Sequence, residues 1–160
     1  MYSSAGFFRW TGCIQVSGVD GAKRGTIIHE VFRGRDAATV LREFGEYSEE
    51  HVRECEEIRA AFFASDLMKR VKRSFCEVPF VVTVDGRPVS GKIDRLCELD
   101  DGSWVVIDYK SESVTSYEYP SMLEVYKISM TVYMKAVEQF RKGKPVGGGL
   151  YNIEFGIFYF

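Results

Sequence analysis

No stretch of this 160-residue sequence approaches the roughly 20 consecutive apolar residues that a membrane-spanning helix needs, so neither a transmembrane segment nor a membrane partner is expected. The opening, MYSSAGFFRWTGCIQ, lacks a basic region followed by a long apolar one. That argues against a signal peptide and makes the cytoplasm the expected location. Cysteine is sparse: Cys13, Cys55, Cys76 and Cys97 lie too far apart for a zinc or redox pair, and no disulfide framework is expected of a cytoplasmic protein. An excess of positive charge is missing too. The net charge of −2 gives no global nucleic-acid signature. Two local basic runs exist, MKRVKR (68–73) and RKGK (141–144); both read most simply as solvated helix ends, where cations suit the helix dipole.

What is present is enough for one domain with a real core, expected to span 1–160 behind an irregular lead-in over 1–22. The spacing of Ile28, Val31 and Phe32 predicts a helix over 23–34, stopped by Gly34. A second short helix is expected over 36–44 with Asp36 as its N-cap. A long third is expected over 48–73, opening with Ser48 and acidic residues and closing with basic ones. The period then changes. Residues 75–84, 87–99 and 103–111 are β-rich runs separated by Asp85-Gly86 and Asp101-Gly102, the strongest short hairpin signal, so they form an antiparallel meander. Residues 118–143 return to helical spacing, with Met122, Tyr126, Ser129, Tyr133, Val137 and Phe140 in one stripe. Gly143, Pro145 and glycines 147–149 break it, and 150–160 finishes as a strand. A helix between strands implies a crossover, so the last strand should lie parallel to a neighbour. The expected fold is α/β, with a mixed central sheet (three-strand antiparallel meander plus a crossover strand) flanked by helices.

The chemistry gathers in the meander. In WVVIDYKS (104–111) the pleat puts Asp108 and Lys110 on one face and Tyr109 on the other. One hairpin earlier, GKIDRL (91–96) places Asp94 on the adjacent strand. Cross-strand neighbours sit about 5 Å apart, and two carboxylates that close repel unless a cation lies between them. Hard oxygen ligands suit Mg²⁺ or Mn²⁺ rather than zinc. Lys110 could orient or help deprotonate a metal-bound water, or neutralise charge developing on a phosphate. An isolated D-x-K is short and common, and alone reads as a surface pair.

Five segments in order change that reading. RGTIIHEVF carries Gly25 one turn before His29; CEVPF places Glu77 before an apolar pair. GKIDRL and VVIDYKS supply Asp94, Asp108 and Lys110, and YKISMTVY carries Tyr126, Met130 and Tyr133 on the late helix. In this order the chain resembles the PD-(D/E)XK nuclease superfamily, and more specifically the nuclease domain at the C-terminus of RecB and AddA helicase–nucleases and their UvrD/Rep-like relatives. The resemblance implies a restriction-endonuclease-like core. It implies His29, Asp94 and Asp108 as ligands of a divalent metal, with the Tyr109 main-chain carbonyl as a further one, and Lys110 as the catalytic lysine. Glu77, Tyr126, Ser129 and Tyr133 are supporting positions. Ser129 stands where that family usually has glutamine, a loss that would weaken activity or alter substrate handling. His51, in an acidic helix without a motif, reads as a satisfied structural histidine.

GRPVSGKI (86–93) copies a phosphate-binding loop up to its last position, where Ile93 replaces the hydroxyl needed for Mg²⁺ and no helix follows. No ATP site is expected, so a helicase motor would lie in a longer parent chain or a separate subunit. Some relatives hold an iron–sulfur cluster with three closely spaced late cysteines; here no cysteine follows Cys97, so no such cluster is expected. The implied activity is a Mg²⁺- or Mn²⁺-dependent deoxyribonuclease acting on single-stranded DNA ends during break repair and recombination. The alternative is a catalytically weak module that keeps the fold and binds DNA or scaffolds a helicase.

Overall fold

Two tight turns and a run of alternating side chains organise the centre of the fold. β1 (Val71–Val84) and β2 (Arg87–Leu99) are joined by Asp85-Gly86, whose φ angles of 49° and 75° are the paired positive values of the turn that matches strand twist. β3 (Trp104–Lys110) follows the Asp101-Gly102 turn and pairs antiparallel with β2. The computed structural model describes residues 16, 18–112, 115, 117–153 and 155–159, and most of the lead-in expected over 1–22 lies outside them. The sheet order is β1-β2-β3-β4-β5, mixed as expected: β4 (Val146–Asn152) runs parallel to β3 after the crossover helix, and β5 (Gly156–Tyr159) turns back antiparallel to β4.

Of the four helices that precede the sheet, three lie where helical spacing placed them. α1 (Gly21–Phe32) is capped by Asp20. In α2 (Ala37–Glu43) the Asp36 carboxylate accepts the Thr39 N–H at 2.8 Å, and in α3 (Glu49–Phe63) the Ser48 hydroxyl accepts that of His51 at 3.0 Å. The long helix expected over 48–73 is shorter. It closes at Ala64, Ser65 caps a separate turn, α4 (Asp66–Lys69), and Val71 to Arg73 belong to β1. Pairing of Val71 with Leu99 and of Arg73 with Glu98, across a register shift between them, gives the segment strand partners that outweigh the helical propensity of the basic run.

The end of the chain departs in the same way. α5 (Tyr119–Phe140) fits the expected late helix and ends before Gly143 and Pro145, but glycines 147–149 lie inside β4. A Cβ on Gly148 would meet Met130 Cγ at 2.5 Å, so α5 can lie on β4 only where that strand has no side chain. The single strand expected over 150–160 is the end of β4 and all of β5. Of the expected stripe on α5, Met122 and Val137 are buried, Tyr126 and Tyr133 half-buried, and Ser129 and Phe140 exposed.

The sheet separates two apolar layers. On one face Ile28 and Phe32 of α1 and Ile58 and Phe62 of α3 pack on Val105, Ile107, Tyr109 and Tyr151, with Phe32 and Phe62 stacked 5.0 Å apart. On the other, Met130, Ala136 and Val137 of α5 pack on Ile93, Leu96, Val106 and Phe80. Among the described residues no helix is long and apolar enough to cross a membrane.

Candidate active site

The β2–β3 ladder stops at Arg95 opposite Ile107, while β1 and β2 continue together as a two-stranded arm out to the Asp85-Gly86 turn. Asp94 and Asp108 are the next residues on either side of the resulting fork. Asp94 Oδ2 accepts the Tyr109 N–H at 2.9 Å, so a carboxylate occupies the place of a strand partner. Face alternation also slips here. Ile93 packs in the layer under α5, whereas Arg95 reaches across to Phe32 and Tyr109 in the layer under α1. On the facing strand Cys76 opposes Arg95 and Val78 opposes Ile93, which sets Glu77 beside Asp94. Glu77 carries a φ of 55°, a left-handed conformation that costs a residue with a Cβ about 1–2 kcal/mol. Such strain concentrates at functional sites.

α1 delivers the histidine to the fork. Gly25 passes Ser111 so closely that a Cβ would stand 3.1 Å from its Oγ, and Arg24 Nη2 donates to the Ser111 carbonyl at 2.7 Å. One turn later His29 stands edge-on to the Tyr109 ring, its Nδ1 3.7 Å from Asp94 Oδ1. His29, Glu77 and Asp94 each offer a ligand atom, all within 4.8 Å of one another. One imidazole and two carboxylates at that spacing suit a hard divalent cation.

Asp108, only 7% exposed, pairs instead with Lys110, Nζ to Oδ2 at 2.8 Å. Its charge is nonetheless felt at Asp94. Burial first, and the neighbouring Asp108 second, push the Asp94 pKa up to about 6 against the opposing pull of His29, the Tyr109 N–H and Lys110. The same two carboxylates help burial raise the Tyr133 phenol. The fork therefore holds concentrated negative charge, the condition that a bound cation relieves.

Lys110 is held on its other side by α5. Its ammonium lies 4.3 Å from the centre of the Tyr126 ring, and the Tyr126 hydroxyl donates to Glu112 Oε1 at 2.8 Å. Tyr133 packs edge-on to Phe80 at 5.5 Å. Ser129 is exposed on α5, between the two tyrosines along the helix. The expected residues thus fall into two groups, His29, Glu77 and Asp94 on one side and Asp108, Lys110 and Tyr126 on the other, with Asp94 feeling the charge of Asp108 and Lys110.

Three contributors were not assigned from the sequence. Lys92 forms an ion pair with Glu77, and Glu112 orients Tyr126; neither leaves a sequence signal. Arg95 does leave one, a charge between Ile93 and Leu96 in an apolar strand. Only 4% exposed, it donates to the Tyr109 hydroxyl, to the Ser74 hydroxyl and, at 2.5 Å, to the Phe32 carbonyl. One guanidinium therefore ties together β1, β3 and the last turn of α1. The phosphate-loop look-alike at 86–93 is the turn and outer half of β2.

The family model described as "PD-(D/E)XK nuclease superfamily" matches residues 9–160. No curated protein matches the sequence. Among solved structures, that of a "Putative exonuclease" from Eubacterium rectale is similar in fold, with 17% identity and a TM-score of 0.57 over 85% of this chain and 57% of that one. The chain thus spans little more than half the length of that protein. Protein VC1899 from Vibrio cholerae also aligns, at 12% identity and a TM-score of 0.35, over 83% of this chain and 42% of that one.

Proposed function

The chain belongs to the PD-(D/E)XK nuclease superfamily, and we propose that it is a divalent-metal-dependent deoxyribonuclease. The observation that carries this reading is the convergence, at the fork between β2 and β3, of His29, Glu77 and Asp94 with the Asp108–Lys110 pair. His29, Asp94, Asp108 and the Tyr109 carbonyl would hold Mg²⁺ or Mn²⁺, with Glu77 close enough to join them. Bound there, the cation supplies Lewis-acid polarisation of a phosphoryl oxygen and lowers the pKa of water. Asp94 and Asp108 provide the negative charge that binds it, and the Tyr109 N–H holds Asp94 in place. Lys110, kept in position by Asp108 and the Tyr126 ring, places an ammonium where charge develops on the phosphate.

The finer reading places this activity in a helicase–nuclease of the RecB/AddA type. The motor would lie in a longer chain or a separate subunit, and the nuclease would trim single-stranded DNA ends in break repair and recombination. The five motif segments in order support it. The test is digestion of single- and double-stranded DNA with Mg²⁺ or Mn²⁺ by wild type, Lys110→Ala and Asp108→Ala. Cleavage that needs the metal and falls at least 100-fold in both variants supports the proposal. DNA binding without cleavage under either ion refutes it in favour of a scaffolding module.

A further inference from the structure

Beside the fork, the β1–β2 arm and α5 face each other across an open cleft of about 250 Å³. Its walls are Phe80 from the arm and Ile128 and Tyr133 from α5, and the hydroxyl-bearing Ser90 and Ser129 stand at its edge. Ile128 is 75% exposed and Val125, one turn earlier, 68%. Two large aliphatics on one helix face are thus left in water next to an aromatic-lined hollow. A cavity of about 150 Å³ accommodates benzene, so this one has room for a one- or two-ring heterocycle.

We infer that the cleft is a subsite for an unpaired nucleobase of the strand whose backbone crosses the fork. This subsite rests on the nuclease reading above. Tyr133 lines the cleft and lies close enough to Asp94 and Asp108 to feel their charge. A strand with one phosphate at Asp108 and Lys110 reaches the cleft by way of Tyr133. What then arrives is a flat apolar ring with polar edges, matching aromatic and aliphatic walls edged by two hydroxyls. Stacking of this kind tolerates any base, because every base has a π-face. A base paired in duplex DNA cannot enter, so the subsite would favour single strands and frayed ends.

The test compares a 20-mer of thymidylate with a 20-mer of abasic units, which carries the same backbone charge, under Mg²⁺. Wild type is expected to show a KM at least fivefold lower for the thymidylate strand, the size of one good stacking contact. Ser90→Leu fills the edge of the cleft and Ile128→Asn removes an apolar wall; both positions are exposed, so neither burdens the fold. Both should shrink the difference below twofold while leaving hydrolysis of bis(p-nitrophenyl) phosphate, too small to use the cleft, at the wild-type rate. Equal KM values for the two strands in wild type, or a preference that survives in both variants, would overturn the subsite and leave the nuclease reading standing. Failure of wild type to hydrolyse either strand or the small diester would overturn both.

Discussion

Replacing Asp94 with asparagine should make the metal-free protein more stable at neutral pH, even though it removes a carboxylate from the proposed metal site. Asp94 is held at a pKa of about 6 against an ordinary 3.8, mainly by burial and then by Asp108. Its side chain is only 15% exposed, so water screens little of this. Because the folded value lies above the unfolded one, folding favours the protonated form. The penalty is absent below pH 3.8, grows between 3.8 and 6, and is full above that. At about 1.4 kcal/mol per tenfold change in proton affinity, the full penalty is roughly 3 kcal/mol. Asparagine carries no charge, and its amide oxygen can still accept the Tyr109 N–H. The expected gain is about 1–3 kcal/mol at pH 7.5, equivalent to a rise in Tm of roughly 2–10 °C for a chain of this size. At pH 4.5 the wild-type group is largely protonated when folded, and the gain should shrink to about a third. Urea denaturation in EDTA at the two pH values measures both. A variant less stable than wild type at pH 7.5, or a gain that does not change with pH, would refute the reasoning.

Two further substitutions probe what surrounds that carboxylate. Glu77→Gly relieves the left-handed backbone at φ 55° and gives up an ion pair with Lys92, which is exposed and worth little. Metal-free stability should hold or rise by up to about 1 kcal/mol, while calorimetric titration shows Mn²⁺ affinity falling at least tenfold; unchanged affinity would remove Glu77 from the ligand group. Arg95→Met strips donors from the buried Tyr109 hydroxyl and Phe32 carbonyl, at about 1–3 kcal/mol for each group left unsatisfied. The expected loss in urea denaturation is about 2–5 kcal/mol, with Arg95→Lys between; a loss below about 1 kcal/mol would mean that burying the guanidinium costs as much as its bonds return.

Local signals were legible wherever one residue decides a conformation. Asp85-Gly86 reads as a hairpin because few other pairs accept positive φ at both positions. Asp36 and Ser48 read as helix starts because their side chains reach the third residue onward. What could not be read was set by partners distant in the chain. Val71 to Arg73 looks helical until Leu99 and Glu98 arrive to pair with it. Gly147 to Gly149 looks like a loop until Met130 of α5 is seen to need the space above Gly148. In the first place a strand partner and in the second a helix packed on the strand overrides a local preference, and neither partner is adjacent in the sequence.

The site was legible for a related reason. Strand alternation puts Asp108 and Lys110 on one face, and a hairpin of known length puts Asp94 opposite, so local rules bring the two acids together. They do not reveal that the β2–β3 ladder ends one residue before that pair. Had it continued, Asp94 and Asp108 would face each other across an ordinary sheet, their backbones fully paired. Because β2 leaves β3 there, the Tyr109 N–H turns to Asp94, Glu77 adopts a strained backbone beside it, and the opened notch admits His29 from α1. Arg95, the last paired residue, then ties α1, β1 and β3 together immediately behind the opening. The fork is what converts a pair of facing carboxylates into a pocket with an open side, and a cation or a phosphate needs that open side to reach them.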